Sequence, residues 1–324
     1  MHNEYALDPE CVNDWSAFKY VVDQCGFEHG RLISRFPGRW ERAASTVCKM
    51  HGVKRTAVVE KLRDMKNKLV SANRDYDMGI SWLANATQQH DTRPFHAIIA
   101  SANPQNREKI LIAEDIDATT LLWNIPREKI VPRKAHDLAC CARKLLNVSQ
   151  EILLIDSNFD PELPRFVETL CWFVKFTFEN SHQPKRFELH IEYKESRQKV
   201  SPPLEEWQKR CEVNLSQHLP KDATLMIFRW RRNDDGGDKP HARYVLTERG
   251  GIRYDYGLDE GEGQTTDVAL LDHSVWEHRW KAYQKETAAF GLVDEIPVKG
   301  ENRRQNSSLV SGGMESERQV YGKV

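Results

Sequence analysis

From about residue 93 the chain alternates two patterns, and that alternation restricts the fold more than anything else in it. Short apolar runs recur at Phe95-His96-Ala97-Ile98-Ile99-Ala100, Ile110-Leu111-Ile112-Ala113 and Ile152-Leu153-Leu154-Ile155-Asp156. Runs of this length without polar alternation are strands covered on both faces. Stretches of helical period lie between and after them. Lys134 to Leu146 turns Leu138, Ala142 and Leu145 inward, and Leu163, Phe166, Val167, Leu170 and Val174 mark a long helix. Leu204 to Leu219 keeps Trp207, Cys211 and Leu215 in register. Phe187 to Tyr193 and Leu225 to Trp230 are further strands, Val268 to Leu271 the last strand, and Ser274 to Ala289 the last helix. Strands interleaved with helices require a layered α/β fold over residues 92–296.

Residues 1–91 read as a separate helical domain. One apolar stripe joins Cys11, Trp15, Phe18 and Val22, a second Trp40, Ala44 and Val47, and a third Val58, Leu62, Met65 and Leu69. Residues 297–324 are polar and lack apolar periodicity, and are expected to be a disordered tail. With 324 residues and 40% hydrophobic content the chain can bury a sizeable core. A formal net charge of −1 makes the whole chain no general attractor for polyanions, so any such role needs a local patch. Seven cysteines without C-x-x-C spacing fit core thiols in a reducing compartment. There is no charged-then-apolar leader and no apolar run of bilayer length, so a cytoplasmic protein is expected.

The richest chemistry lies in Pro240-His241-Ala242-Arg243-Tyr244-Val245-Leu246-Thr247-Glu248-Arg249-Gly250-Gly251. Strand side chains alternate faces, so His241 and Arg243 point the same way, with Tyr244 and Leu246 turned toward a core. A guanidinium holds two non-bridging phosphate oxygens at once, and an imidazole beside it can attack phosphorus or protonate a leaving oxygen. Arg229 and Arg231, just upstream, are candidates for a basic lip on the same cleft. Glycines at 250, 251, 257, 261 and 263 permit close backbone approach.

The spacing resembles the phospholipase D superfamily, whose motif is His-x-Lys, four residues, then Asp, with a glycine-rich segment downstream. This chain has His241-x-Arg243, four residues, then Glu248, followed by Gly257-Leu258-Asp259. The form is similar to the phospholipase D-like domain of proteins with a microtubule-interacting-and-trafficking domain, where the motif binds phosphate without the full catalytic set. Leu154 to Asp160 resembles the Asp-Pro-Tyr-Phe turn that opens such repeats, with Asp156 as its acid. The resemblance covers residues 150–290 well and 92–150 loosely. It implies a phospholipase D-like layered α/β/α domain behind the helical N-terminal domain. It also implies a phosphodiester cleft at Arg243, Gly257 and Asp259, with structural roles for Glu248 and Asp156. Asp267 falls where the superfamily carries the carboxylate that orients the nucleophilic histidine. Superfamily catalysis pairs two histidine motifs, and His96 and His190 do not repeat the first. Turnover therefore implies a homodimer with His241 from each copy, acting as a metal-independent nuclease in phage defence or mobile-element biology. The alternative is a catalytically inactive module for nucleic acid or for a protein partner docked on residues 1–91. Phosphoinositide recognition is disfavoured because no basic amphipathic helix is present.

Other chemistries are poorly supported. There is no P-loop, dinucleotide glycine fingerprint, G-x-S-x-G or H-E-x-x-H. Asp255, Asp259, Glu260 and Glu262 do not follow calcium-loop spacing. No cofactor and no metal are expected.

Overall fold

The computed structural model describes residues 1–66, 68–71, 73–195, 200–233, 240 and 243–301. Its architecture is mixed α/β, built on two sheets. The first is wholly parallel, with strands β1 (Asn3–Leu7), β2 (Arg31–Ser34), β3 (Leu69–Val70), β4 (Ala97–Ala100) and β5 (Ile110–Ile112) in the order β3-β2-β1-β4-β5. Helices α1 (Trp15–Asp23), α2 (Trp40–Val47) and α3 (Gly52–Met65) pack on one face, over Tyr5, Leu7, Ile33, Ala97 and Ile99. Helix α4 (Trp82–Thr92) joins Phe36 and Phe95 on the other, over Ala6, Ile98 and Ala100.

Residues 1–91 are therefore not the purely helical domain that the sequence predicts. Three strands run through them, and the expected boundary at 91/92 cuts α4 just before its last residue and parts β1, β2 and β3 from β4 and β5 of the same sheet. The strands escape notice for a physical reason. Strand β1 is buried on both faces, Glu4 included, so it shows no apolar–polar alternation and is too short to stand out as an apolar run. Glu4 survives burial because Lys144 and Arg74 both pair with it.

The second sheet is mixed and eight-stranded. Its strands are β6 (Glu128–Pro132), β7 (Glu151–Asp156), β8 (Arg186–Glu192), β9 (Thr224–Arg231), β10 (Arg243–Thr247), β11 (Gly250–Tyr254), β12 (Thr265–Leu270) and β13 (Gly291–Lys299). The order is β13-β9-β8-β7-β10-β11-β12-β6, and only the β7–β8 and β8–β9 pairs are parallel. Helices α5 (Ala135–Val148), α6 (Pro164–Thr177) and α7 (Leu204–Leu215) cover one face, through Leu138, Phe173 and Trp207 against Leu154, Val245 and Ile227. Helix α8 (His273–Ala282) and the segment after it cover the other, where Leu153, Phe228, Trp230, Tyr244 and Leu246 meet Tyr283 and Phe290. Three strands of this sheet go unpredicted: β6, β11, whose Gly250-Gly251 start reads as a turn, and the edge strand β13, whose pattern Asp294-Glu295 and Pro297 interrupt. The expected domain end at 296/297 runs through β13, and residues 302–324 of the expected tail lie outside the described residues.

The sheets share packing. Phe27, Leu32 and Val70 belong to the same apolar cluster as α5 and β7, and the Met1 ammonium donates to the Cys141 carbonyl at 3.0 Å. No described helix is long and apolar enough to cross a membrane.

Candidate functional site

Strand β7 delivers the first residue of the site. After Asp156 the chain leaves the sheet in a tight turn that Asp156 itself fixes, its Oδ1 accepting from the Asn158 amide at 2.9 Å. Asp160 then accepts from the Glu162 amide at 3.0 Å. Pro164 opens α6 at a position where a missing N–H costs nothing, and no side chain among the described residues caps that helix. The Leu163 carbonyl accepts from the Phe166 and Val167 amides at 3.0 and 3.4 Å, so the first turn of α6 closes on itself beside the carboxyl end of a central strand.

Strand β10 brings the second. It runs antiparallel to β7 and sets Arg243 directly opposite Asp156. The pair is an opposite-charge cross-strand neighbour on the face shared with Leu154 and Val245. Asp156 Oδ2 also accepts from the Leu258 amide at 2.7 Å. Burial holds the Asp156 carboxyl above the usual range, although those two amides and the Arg243 charge pull it down.

The loop after β11 closes the third side. A Cβ at Gly257 would lie 2.0 Å from Asp259 Oδ1, so this position admits glycine for steric reasons. Asp259 is buried and salt-bridged to Arg133 at 2.6 Å, with Arg165 Nε at 3.4 Å. The glycine-rich loop therefore turns Asp259 inward. Glu260 turns inward as well and accepts from the Ala135 amide at 2.9 Å, at the start of α5.

Together these groups line a cleft of about 310 Å3 holding Arg133, Arg165 and Arg243 with Asp156, Asp160, Asp255 and Asp259. A second cleft of about 250 Å3 shares Asn158 and Asp160 and adds Lys194 and Arg210. Lys194 Nζ donates to Asn158 Oδ1 at 2.6 Å. Both clefts open at the edge where β7, β8 and β11 end, the usual place for ligands in open α/β sheets. Among the described residues no group of three or more His, Cys, Asp or Glu is placed to hold a metal ion.

Of the residues singled out from sequence, Arg243, Asp156, Gly257 and Asp259 meet in this cleft. His241 lies outside the described residues. Asp267 does not join them. It is exposed on β12, separated from β10 by β11, and the register places it on the face opposite Arg243. Arg229 is not a lip residue either: it is 1% exposed, grips both oxygens of Asp294 at 2.7 and 2.5 Å and donates to the Pro202 carbonyl at 2.7 Å. Its guanidinium lies over Tyr193 and Trp207, so it floors the second cleft as a structural ion pair. Arg231 ends β9 opposite Gly291 and lines neither cleft. Glu248 is a staple, its two oxygens accepting from the Gln150 and Glu151 amides at 2.9 and 3.0 Å to tie the β10–β11 turn to β7.

Sequence reasoning misses Arg133 and Arg165. Arg165 carries a usable signal, because Pro164 two positions after Glu162 marks a helix start behind a strand. Arg133 carries none; only the pairing of β6 with β12, more than 130 residues away, brings it in. No protein-family model matches the chain, and a search of curated proteins gives no match either.

Proposed function

We propose that the Arg243 cleft binds a phosphodiester, and that the protein is a phosphodiester-recognising module of phospholipase D-like kind. One observation carries this reading: three arginines converge on one small cleft. A guanidinium can hold two phosphate oxygens through parallel charge-assisted hydrogen bonds. The chain order from β7 through β10 supports the phospholipase D-like assignment, because strand, helix, strand, helix, strand and motif strand follow in that superfamily's sequence. The four carboxylates of the cleft temper its field. Asp259 is paired with Arg133, Asp255 pairs with Arg253 at 3.2 Å, and Asp156 lies opposite Arg243 and accepts from two backbone amides. The arginines are thereby held in place, and anion affinity rests on local geometry more than on net charge.

Binding is favoured over turnover because Asp267 faces away from Arg243. Turnover through His241 in a homodimer is the second reading, and the position of His241 two residues before Arg243 is its support. Both are tested by incubating the protein with labelled single- and double-stranded DNA and RNA, with and without chelator. Binding that survives His241→Ala and drops at least tenfold in Arg243→Ala is the expected result. Chelator-resistant cleavage lost in His241→Ala would establish the enzyme instead. Unchanged binding in Arg243→Ala refutes the cleft as the ligand site.

A further inference from the structure

We infer that Tyr256 is a base-stacking platform and that the phosphodiester bound at Arg243 belongs to single-stranded nucleic acid; this rests on the cleft being a phosphodiester site. Tyr256 is 61% exposed on the rim of that cleft. Its position is fixed from below, since its amide donates to Thr266 Oγ1 at 3.3 Å and the Asp255 amide donates to the Asp267 carbonyl at 3.1 Å. Two residues earlier Tyr254 is 1% exposed and donates its hydroxyl to the Leu138 carbonyl at 3.0 Å. The same residue type thus serves the core at 254 and is left facing solvent at 256. Single exposed aromatics are ordinary. This one is distinguished by its neighbours: the Arg133 guanidinium lies 5.4 Å from its ring centroid, and Arg243 and Arg165 line the same cleft. An aromatic face beside a cationic groove is the combination with which proteins hold single strands, the bases stacking while the backbone follows the charge.

Cleft size and charge both favour a single strand over a duplex. A volume of about 310 Å3 lies at the small end of ligand clefts and suits one nucleotide unit. A duplex presents only its phosphates to such an opening, and here they would meet Asp160 and Asp255 as well as the arginines. An unpaired nucleotide separates its charges. Its phosphate faces Arg243, its base lies on Tyr256, and the exocyclic amino groups of the base find carboxylate acceptors.

The test is fluorescence anisotropy with the full chain and a short labelled oligonucleotide. The oligonucleotide is presented as a single strand, as a duplex and as an abasic strand of equal charge. The variants are Arg243→Ala, Tyr256→Ala and Tyr256→Phe. The single strand is expected to bind more tightly than the duplex or the abasic strand. Tyr256→Ala should weaken single-strand binding by about 5- to 100-fold and leave abasic binding unchanged, while Tyr256→Phe retains wild-type affinity. Equal binding of the normal and abasic strands, or wild-type affinity in Tyr256→Ala, overturns the inference. If affinity collapses in Arg243→Ala and is untouched in Tyr256→Ala, the cleft reading stands and the stacking role falls. If no oligonucleotide binds, both fall together.

Discussion

Gly257 shows how one residue can hold the cleft together without contributing a side chain. Its missing Cβ is the space that Asp259 Oδ1 occupies, and Asp259 in turn holds Arg133. Gly257→Ala puts a methyl 2.0 Å from a carboxylate oxygen that is not free to swing away. The expected cost is about 1–3 kcal/mol, the usual range for overpacking. Urea unfolding of the single and double variants isolates the cause. If the clash with Asp259 is responsible, adding Gly257→Ala to Asp259→Ala costs little further stability, a clear departure from additivity. Fully additive losses would place the strain elsewhere. This residue was visible in the sequence as part of Gly257-Leu258-Asp259, but its reason was not. A sequence reports a glycine, whereas only the fold reports whether backbone freedom or space demands it. Arg229 teaches the same lesson in reverse, since its basic neighbourhood pointed to a lip and its Asp294 partner lies across a strand pair that no local pattern reveals.

The elements divide by how their burial is written. Strands β4, β7 and β10 and helices α5 to α7 were legible because long apolar runs or full helical stripes mark them. Strand β1 was not, and its carboxyl end carries a testable consequence. Asp8 follows β1, is buried, and accepts from the Glu10 amide at 2.9 Å to open the next turn. Burial, aided by the nearby Glu10 charge and opposed by that amide, raises its pKa from 3.8 to about 6. A carboxyl with a raised folded-state pKa binds more protons folded than unfolded. Its contribution is therefore fully present below the unfolded value and is lost as pH rises through the folded one. Asp8→Asn keeps an acceptor for Glu10 and cannot ionise. The difference in unfolding free energy between the variant and wild type should grow in the variant's favour from pH 4 to pH 7, by up to about 3 kcal/mol. A difference that is flat across that range would show that Asp8 does not titrate as its burial requires.

At the scale of the whole molecule the two sheets are joined at a seam, and a buried imidazole in that seam should make it sensitive to acid. The seam was illegible in sequence because it is made by Phe27, Leu32 and Val70, which sit far in the chain from the α5 residues they meet. His2 lies within it, buried, with Nε2 donating to the Phe27 carbonyl at 3.0 Å. A carbonyl only accepts, so Nε2 carries the proton of the neutral ring, and Nδ1 has no hydrogen-bond partner among the described residues. A second proton would have to enter at Nδ1, as a charge without an acceptor. Burial, reinforced by the nearby terminal ammonium, therefore lowers the His2 pKa from 6.5 to about 3, against the pull of the Phe27 carbonyl. The sign is opposite to that of Asp8. With fewer protons bound in the folded state, His2 contributes stability above its unfolded pKa and loses it as pH falls from 6.5 toward 3. The full loss is on the order of 5 kcal/mol, a large part of a typical domain's stability. His2→Gln retains an amide donor for Phe27 and has nothing to protonate, so its urea-unfolding free energy should decline less steeply than wild type between pH 6.5 and 4. Because the ring sits where the sheets meet, wild-type acid unfolding should begin with the seam. Amide hydrogen exchange at pH 4.5 should rise first in β2, β3 and the start of α5, ahead of the centre of the eight-stranded sheet. Parallel pH profiles for variant and wild type, or exchange that rises first in β8 and β9, would remove His2 as the acid-sensitive point of the molecule.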